Sequence, residues 1–131
     1  DMLRSLVGSE MCIRDSFLGV TFKAGTDDMR DSSSLVMIPF LSKKGALIKY
    51  YDPTGSKKEL EKIKNVSYVD SIKKAVENSD LVILHTEWND FKSINFKSLS
   101  KRKKFIIYDM RNIYSPHKIK NQGFKYFSIG R

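Results

Sequence analysis

The chain has one cysteine, Cys12, in 131 residues, so it can build no internal disulfide framework, which fits a reducing cytoplasm. It has no long apolar run. Its longest apolar stretches suit buried strands and fall well short of the roughly 20 residues that cross a bilayer. Residues 3–7 are too short for a secretory signal and are interrupted by Arg4. There are only two histidines, His85 and His117, far apart and without metal-ligand spacing. Neither common phosphate loop occurs: no G-x-G-x-x-G follows a strand, and there is no glycine-lysine-serine/threonine loop. The chain by itself is therefore not expected to hold NAD in the ordinary dinucleotide-binding manner. No internal repeat and no low-complexity tract occur.

What is present fits one globular domain. Hydrophobic residues make up 40% and charged residues 30% of the chain. The net charge of +9 is compatible with polyanionic or phosphorylated partners, but most lysines are dispersed, as a solvated surface requires. The dense run Lys101-Arg102-Lys103-Lys104 precedes an apolar strand and reads as a solvated turn.

Apolar runs alternate with helical patterns from Phe17 onward. Residues 17–22, 46–51, 66–69, 81–84 and 105–108 read as strands, and 125–128 as an edge strand. Residues 32–44, 56–64, 71–78 and 116–121 read as helices. Asp31 or Ser32 caps the first helix and Gly45 stops it. Pro39 lies inside that pattern and should kink the helix or shift its start. Alternating strands and helices imply βαβ crossovers. The expected fold is an α/β, Rossmann-like three-layer sandwich with a mostly parallel sheet. Leu81-Val82-Ile83-Leu84 is apolar on both faces, as a central parallel strand must be.

Ligands in such sheets bind beyond the carboxyl ends of the strands. Lys23 lies there, a compact cation suited to phosphate oxygens. Arg30 and Arg111 offer planar forks for phosphate or carboxylate. Thr26 and the start of the next helix add hydroxyl and backbone donors. Two or three cations at one sheet edge fit a diphosphate, but Asp27, Asp28, Asp31 and Asp109 are also available to pair with them. His85, at a strand end, is open to an acid–base role or to a hydrogen-bonded structural one. Trp88 reads as a packing residue whose indole N–H finds a backbone acceptor.

Five blocks occur together in order. They are Phe17-Leu18-Gly19-Val20-Thr21-Phe22-Lys23 with Thr26-Asp27-Asp28-Met29-Arg30-Asp31-Ser32; Tyr51-Asp52-Pro53; Thr86-Glu87-Trp88-Asn89-Asp90-Phe91; Asp109-Met110-Arg111-Asn112-Ile113-Tyr114; and the ending from Gly123 to Arg131. This pattern, over residues 17–131, resembles the C-terminal domain of the UDP-glucose/GDP-mannose dehydrogenase family. The threonine-glutamate-tryptophan and arginine-asparagine-isoleucine-tyrosine blocks look more like its UDP-glucose branch than its GDP-mannose branch. The resemblance implies oxidation of UDP-glucose to UDP-glucuronate with two NAD, through two hydride transfers and a cysteine thioester. It implies an N-terminal domain that holds NAD, and a central helical region that joins the halves and forms a homodimer or higher assembly. By that analogy Phe22 and Lys23 contact the UDP end of the substrate, Arg111 lies near the sugar and diphosphate, and Arg30 reaches across the cleft to NAD. Met110 replaces the small glycine usual in the family's turn, which bears on the local backbone and the aim of Arg111.

Residues 1–16 match nothing in that pattern and read as a foreign or disordered leader. Cys12 faintly resembles the family's nucleophile but sits only ten residues before Phe22 and lacks the expected lysine, so no catalytic residue is assigned to this chain. The implied entity is a cytoplasmic domain that binds a UDP-sugar, inactive alone, with no nucleic-acid or membrane partner. The alternatives are a relative acting on UDP-N-acetylmannosamine or GDP-mannose, and a small basic RNA- or polyanion-binding module.

Overall fold

The computed structural model describes residues 13–100 and 104–129. Its strands are β1 (Arg14–Leu18), β2 (Leu47–Tyr51), β3 (Val66–Tyr68), β4 (Leu81–Leu84), β5 (Ile106–Asp109) and β6 (Lys125–Ser128). They form one sheet in the order β3-β2-β1-β4-β5-β6, and every pairing is parallel. The chain winds outward from β1 to β3, returns to the centre, and winds outward again from β4 to β6. The direction reverses between β1 and β4, where such sheets open a crevice.

Among the described residues, six helices cover the two faces: α1 (Ser34–Lys43), α2 (Lys58–Glu61), α3 (Ile72–Val76), α4 (Asn89–Lys92), α5 (Phe96–Leu99) and α6 (Pro116–Asn121). Alternation along the central strands supplies both cores. Phe17, Leu81 and Ile83 point toward Ile38 and Leu41 of α1 and Leu60 of α2. Leu18, Val82 and Leu84 point toward Ala75 and Val76 of α3, Phe91 of α4, Phe96 of α5 and Ile119 of α6. All four residues of β4 are buried, as expected of a central parallel strand.

Several boundaries differ from expectation, for physical reasons. The first strand spans Arg14–Leu18, not residues 17–22. Arg14, Asp15 and Ser16 belong to it because backbone pairing needs no apolar side chain. Arg14 lies opposite Leu47, and Asp15 lies between Ile48 and Leu81. The strand therefore extends into the stretch expected to stand apart from the fold, while residues 1–12, Cys12 included, lie outside the described residues. The strand ends early because Gly19 takes φ +81 and turns its N–H onto the Tyr51 carbonyl. The apolar residue Val20 is buried in the loop beyond. Pro39 sits within α1, which begins at Ser34 rather than at residue 32 and has Ser33, not Asp31 or Ser32, at its N-cap; the Ser32 hydroxyl is taken instead by the Val20 carbonyl. The second expected helix shortens to the single turn of α2. The turns α4 and α5 carry no amphipathic period long enough to be read from sequence. α5 begins where the Asn95 side chain caps the Ser98 N–H at 3.3 Å.

Candidate functional site

The loop that leaves β1 is fastened to its neighbours group by group. The Val20 N–H donates to the buried Asp52 carboxylate at 2.9 Å, and the other oxygen of Asp52 holds the Thr54 N–H and hydroxyl. The Val20 carbonyl accepts both Ser32 Oγ and Ser34 Oγ, each at 2.6 Å. The Thr21 carbonyl accepts Thr86 Oγ1 at 3.0 Å from the exit of β4. Thr86 closes so tightly over Gly19 that a Cβ built there would stand 2.5 Å from the Thr86 Cβ. The protein's own groups thus occupy the crevice between β1 and β4, where a dinucleotide pyrophosphate would approach the backbone. A ligand at this edge must lie farther out, over the rim.

The expected cations stand on that rim. Phe22 is 45% exposed, and its N–H donates to the Asp28 carbonyl at 3.0 Å, closing the loop on itself. Lys23 is exposed beside it. Asp28 is held by Arg30, with Nη2–Oδ2 at 3.0 Å and Nε–Oδ1 at 3.1 Å. Hydrogen bonding to Arg30 foremost, with the nearby Lys23 charge adding to it, draws the Asp28 carboxyl below its ordinary range. Arg30 is therefore ion-paired, the alternative left open for it by the sequence. Its side chain remains 88% exposed.

Arg111 behaves differently. Its Nε donates to the His85 carbonyl at 2.8 Å and its Nη2 to the Phe22 carbonyl at 3.4 Å. One guanidinium thereby joins the loops after β1, β4 and β5 and bonds the carbonyl of the Phe22–Lys23 peptide. Asp109 makes no ion pair with it and sets its backbone instead. The buried Asp109 carboxylate accepts the Arg111 N–H at 3.0 Å, the Tyr114 N–H at 3.0 Å and the Tyr126 hydroxyl at 2.7 Å. Met110 needs no glycine conformation, because the left-handed residue of this turn is Asn112, at φ 57. Its side chain is partly buried and packs against the Phe17 side of the core.

His85 is fully buried with both ring nitrogens bonded, to Thr86 Oγ1 at 2.9 Å and Ser33 Oγ at 2.8 Å. Burial first, and the Arg111 charge second, pull its pKa down to about 4. His117 is exposed. Trp88 packs against the core as expected, but its indole N–H has no acceptor among the described residues, contrary to expectation. Among the described residues no cluster of histidine, cysteine and carboxylate groups suits a metal ion, and no helix is long and apolar enough to cross a membrane. Sequence reasoning missed Asp52, Asp109, Ser33 and Thr86 as organisers. The one available signal was an aspartate at the end of β2 and another at the end of β5.

The model of the UDP-glucose/GDP-mannose dehydrogenase family, UDP binding domain, matches residues 16–116. The UDP-glucose 6-dehydrogenase of Rickettsia felis is 39% identical over 117 residues, covering 86% of this chain and 26% of that protein. The UDP-glucose 6-dehydrogenase of Rhizobium meliloti is 37% identical over 115 residues, covering 87% and 26%. The chain thus spans about a quarter of the length of these relatives. Among solved structures, the UDP-D-ManNAc dehydrogenase of Pyrococcus horikoshii superposes with a TM-score of 0.72 at 30% identity, over 99% of this chain and 28% of that one. The UDP-glucose dehydrogenase of Pyrobaculum islandicum shares the fold, with a TM-score of 0.75 at 22% identity over 96% of this chain and 27% of that one.

Proposed function

Because the chain belongs to the UDP-glucose/GDP-mannose dehydrogenase family as its UDP-binding domain, we propose that it serves an NAD-dependent UDP-glucose 6-dehydrogenase and grips the pyrophosphate of UDP-glucose. The observation that carries this reading is the bond from Arg111 to the Phe22 carbonyl, which gathers Phe22, Lys23 and Arg111 at one rim. A pyrophosphate suits that rim: Lys23 supplies a movable point charge, and Arg111 supplies a fork already held by two carbonyls. Phe22 offers an exposed ring to the nucleotide end. Arg30 meets NAD across the domain cleft, with its guanidinium braced by Asp28 and its side chain largely open.

We assign the NAD-holding domain and the thioester-forming cysteine to the remaining three quarters of the enzyme, so the chain alone binds without oxidising. The whole enzyme converts UDP-glucose and two NAD to UDP-glucuronate, works in the cytoplasm, and assembles as a homodimer or higher. UDP-glucose or UDP should raise the melting temperature of the chain. At about 100 times Kd the stabilisation amounts to about 2.7 kcal/mol, a shift of several degrees. Lys23→Ala should abolish the shift. An equal shift in the variant would mean that the ligand sits elsewhere. UDP-N-acetylmannosamine and GDP-mannose should stabilise less than UDP-glucose, and the opposite ranking would move the enzyme to another member of the family.

A further inference from the structure

We propose that His85 is a positioning residue of this substrate site: its ring locks the start of α1 to the exit of β4 and so holds the peptide group that anchors Arg111. The inference rests on the UDP-sugar reading above and deepens it. The tautomer follows from the hydrogen-bond chain. Thr86 Oγ1 spends its only hydrogen on the Thr21 carbonyl at 3.0 Å. His85 Nδ1, 2.9 Å from the same oxygen, must therefore be the donor. A neutral imidazole has one N–H, so Nε2 accepts, and the Ser33 hydroxyl 2.8 Å away donates. The low pKa produced by burial and by Arg111 keeps the ring in this state across the neutral range.

Four groups of His85 thus point to four parts of the rim. Its N–H holds the Leu18 carbonyl at the end of β1 at 3.0 Å. Its Nδ1 reaches Thr86 and, through it, the loop carrying Phe22 and Lys23. Its Nε2 reaches Ser33, which immediately precedes α1 and follows the Arg30 turn. Its carbonyl receives Arg111 Nε at 2.8 Å. With both nitrogens committed and the ring fully buried, the side chain has no free position from which to exchange a proton with a substrate. Its contribution passes through Arg111.

That route can be measured with a double-mutant cycle on the 131-residue chain, with UDP-glucose binding followed by calorimetry and folding by thermal melts. His85→Ala should weaken UDP-glucose binding about tenfold, the scale of a lost buried hydrogen bond. In an Arg111→Ala background the same change should cost no more than about twofold, because its route is already gone. Ser33→Ala leaves the buried ring in place and removes only the outer bond, and it should weaken binding several-fold with a smaller fall in melting temperature than His85→Ala. If His85→Ala does not fold, the Ser33/Arg111 cycle decides in the same way. Losses that multiply independently overturn the positioning role while leaving the substrate site standing. Failure of the unsubstituted chain to bind UDP-glucose overturns the site reading, and this inference with it.

Discussion

Asp15 stands in the middle of β1, 1% exposed, with no hydrogen-bond partner for either carboxylate oxygen among the described residues. Its cross-strand neighbours are Ile48 and Leu81. Burial, reinforced by the charge of Asp80, pushes its pKa up to about 7. Its folded-state pKa lies above the ordinary carboxyl value, so its effect on stability has a definite sign. Below about pH 4 the carboxyl is protonated in both states and costs little, and as pH rises through 7 folding comes to carry a penalty of up to about 4 kcal/mol. His85 acts in the opposite sense. Its depressed pKa means that acid favours the unfolded state, by up to about 3 kcal/mol between pH 6.5 and 4. The two groups partly cancel, and the parent chain should be nearly insensitive to pH across that interval. Asp15→Leu removes one of them. We expect it to raise the urea midpoint clearly at pH 8, to change it little at pH 4, and to leave a chain that loses stability on acidification. An unchanged midpoint at pH 8 would show that Asp15 is solvated in the folded protein.

The elements differ in how legibly the sequence specifies them, and the difference follows from burial and length. β4 is legible to the residue because four consecutive apolar side chains suit a strand buried on both faces. α6 is legible to the residue because Pro116 can open a helix and Gly123 stands just past its end, and the structure adds a cap from the Ser115 hydroxyl to the Lys118 N–H. The cations of the rim were legible because parallel sheets place such loops at one edge. Their partners were not, since Ser33–His85 and Arg111–Phe22 join residues 52 and 89 positions apart. α5 was invisible because one helical turn has no period. Its packing is nonetheless central. The fully buried Phe96 ring meets Phe105, Tyr114 and Phe124 edge-on, at centroid distances of 5.9, 5.4 and 6.2 Å. Phe96→Ala deletes three aromatic contacts and leaves a cavity, so it should cost about 3–5 kcal/mol in a urea titration. A loss near 1 kcal/mol would mean that β5, α5 and α6 collapse readily onto the vacancy.

At the scale of the whole molecule, the charge of +9 suits a polyanion, while the layered architecture sets how one could be held. Single-stranded RNA is held by two terms: lysine–phosphate contacts, which salt weakens steeply, and stacking of bases on exposed rings, worth about 1–3 kcal/mol per base. The second term needs an open sheet face or an aromatic stripe. Helices cover both faces of this sheet, and Phe17, Tyr50, Phe91, Phe96, Phe105, Phe124 and Tyr126 are all buried in the two cores. Phe22 is the one aromatic among the exposed large hydrophobics of the described residues. RNA should therefore bind through charge alone. Filter binding of a single-stranded oligonucleotide should be weak at low salt and vanish by about 0.15 M, with the steep slope of counterion release. Phe22→Ala should leave that curve unchanged. On the proposed reading, the same substitution should weaken UDP-glucose binding, because that binding would rest on a few localised cations and on this ring and so would fall less steeply with salt. Tight RNA binding that survives 0.15 M salt and disappears in Phe22→Ala would make the rim a base-stacking platform and transfer the site from a sugar nucleotide to a nucleic acid.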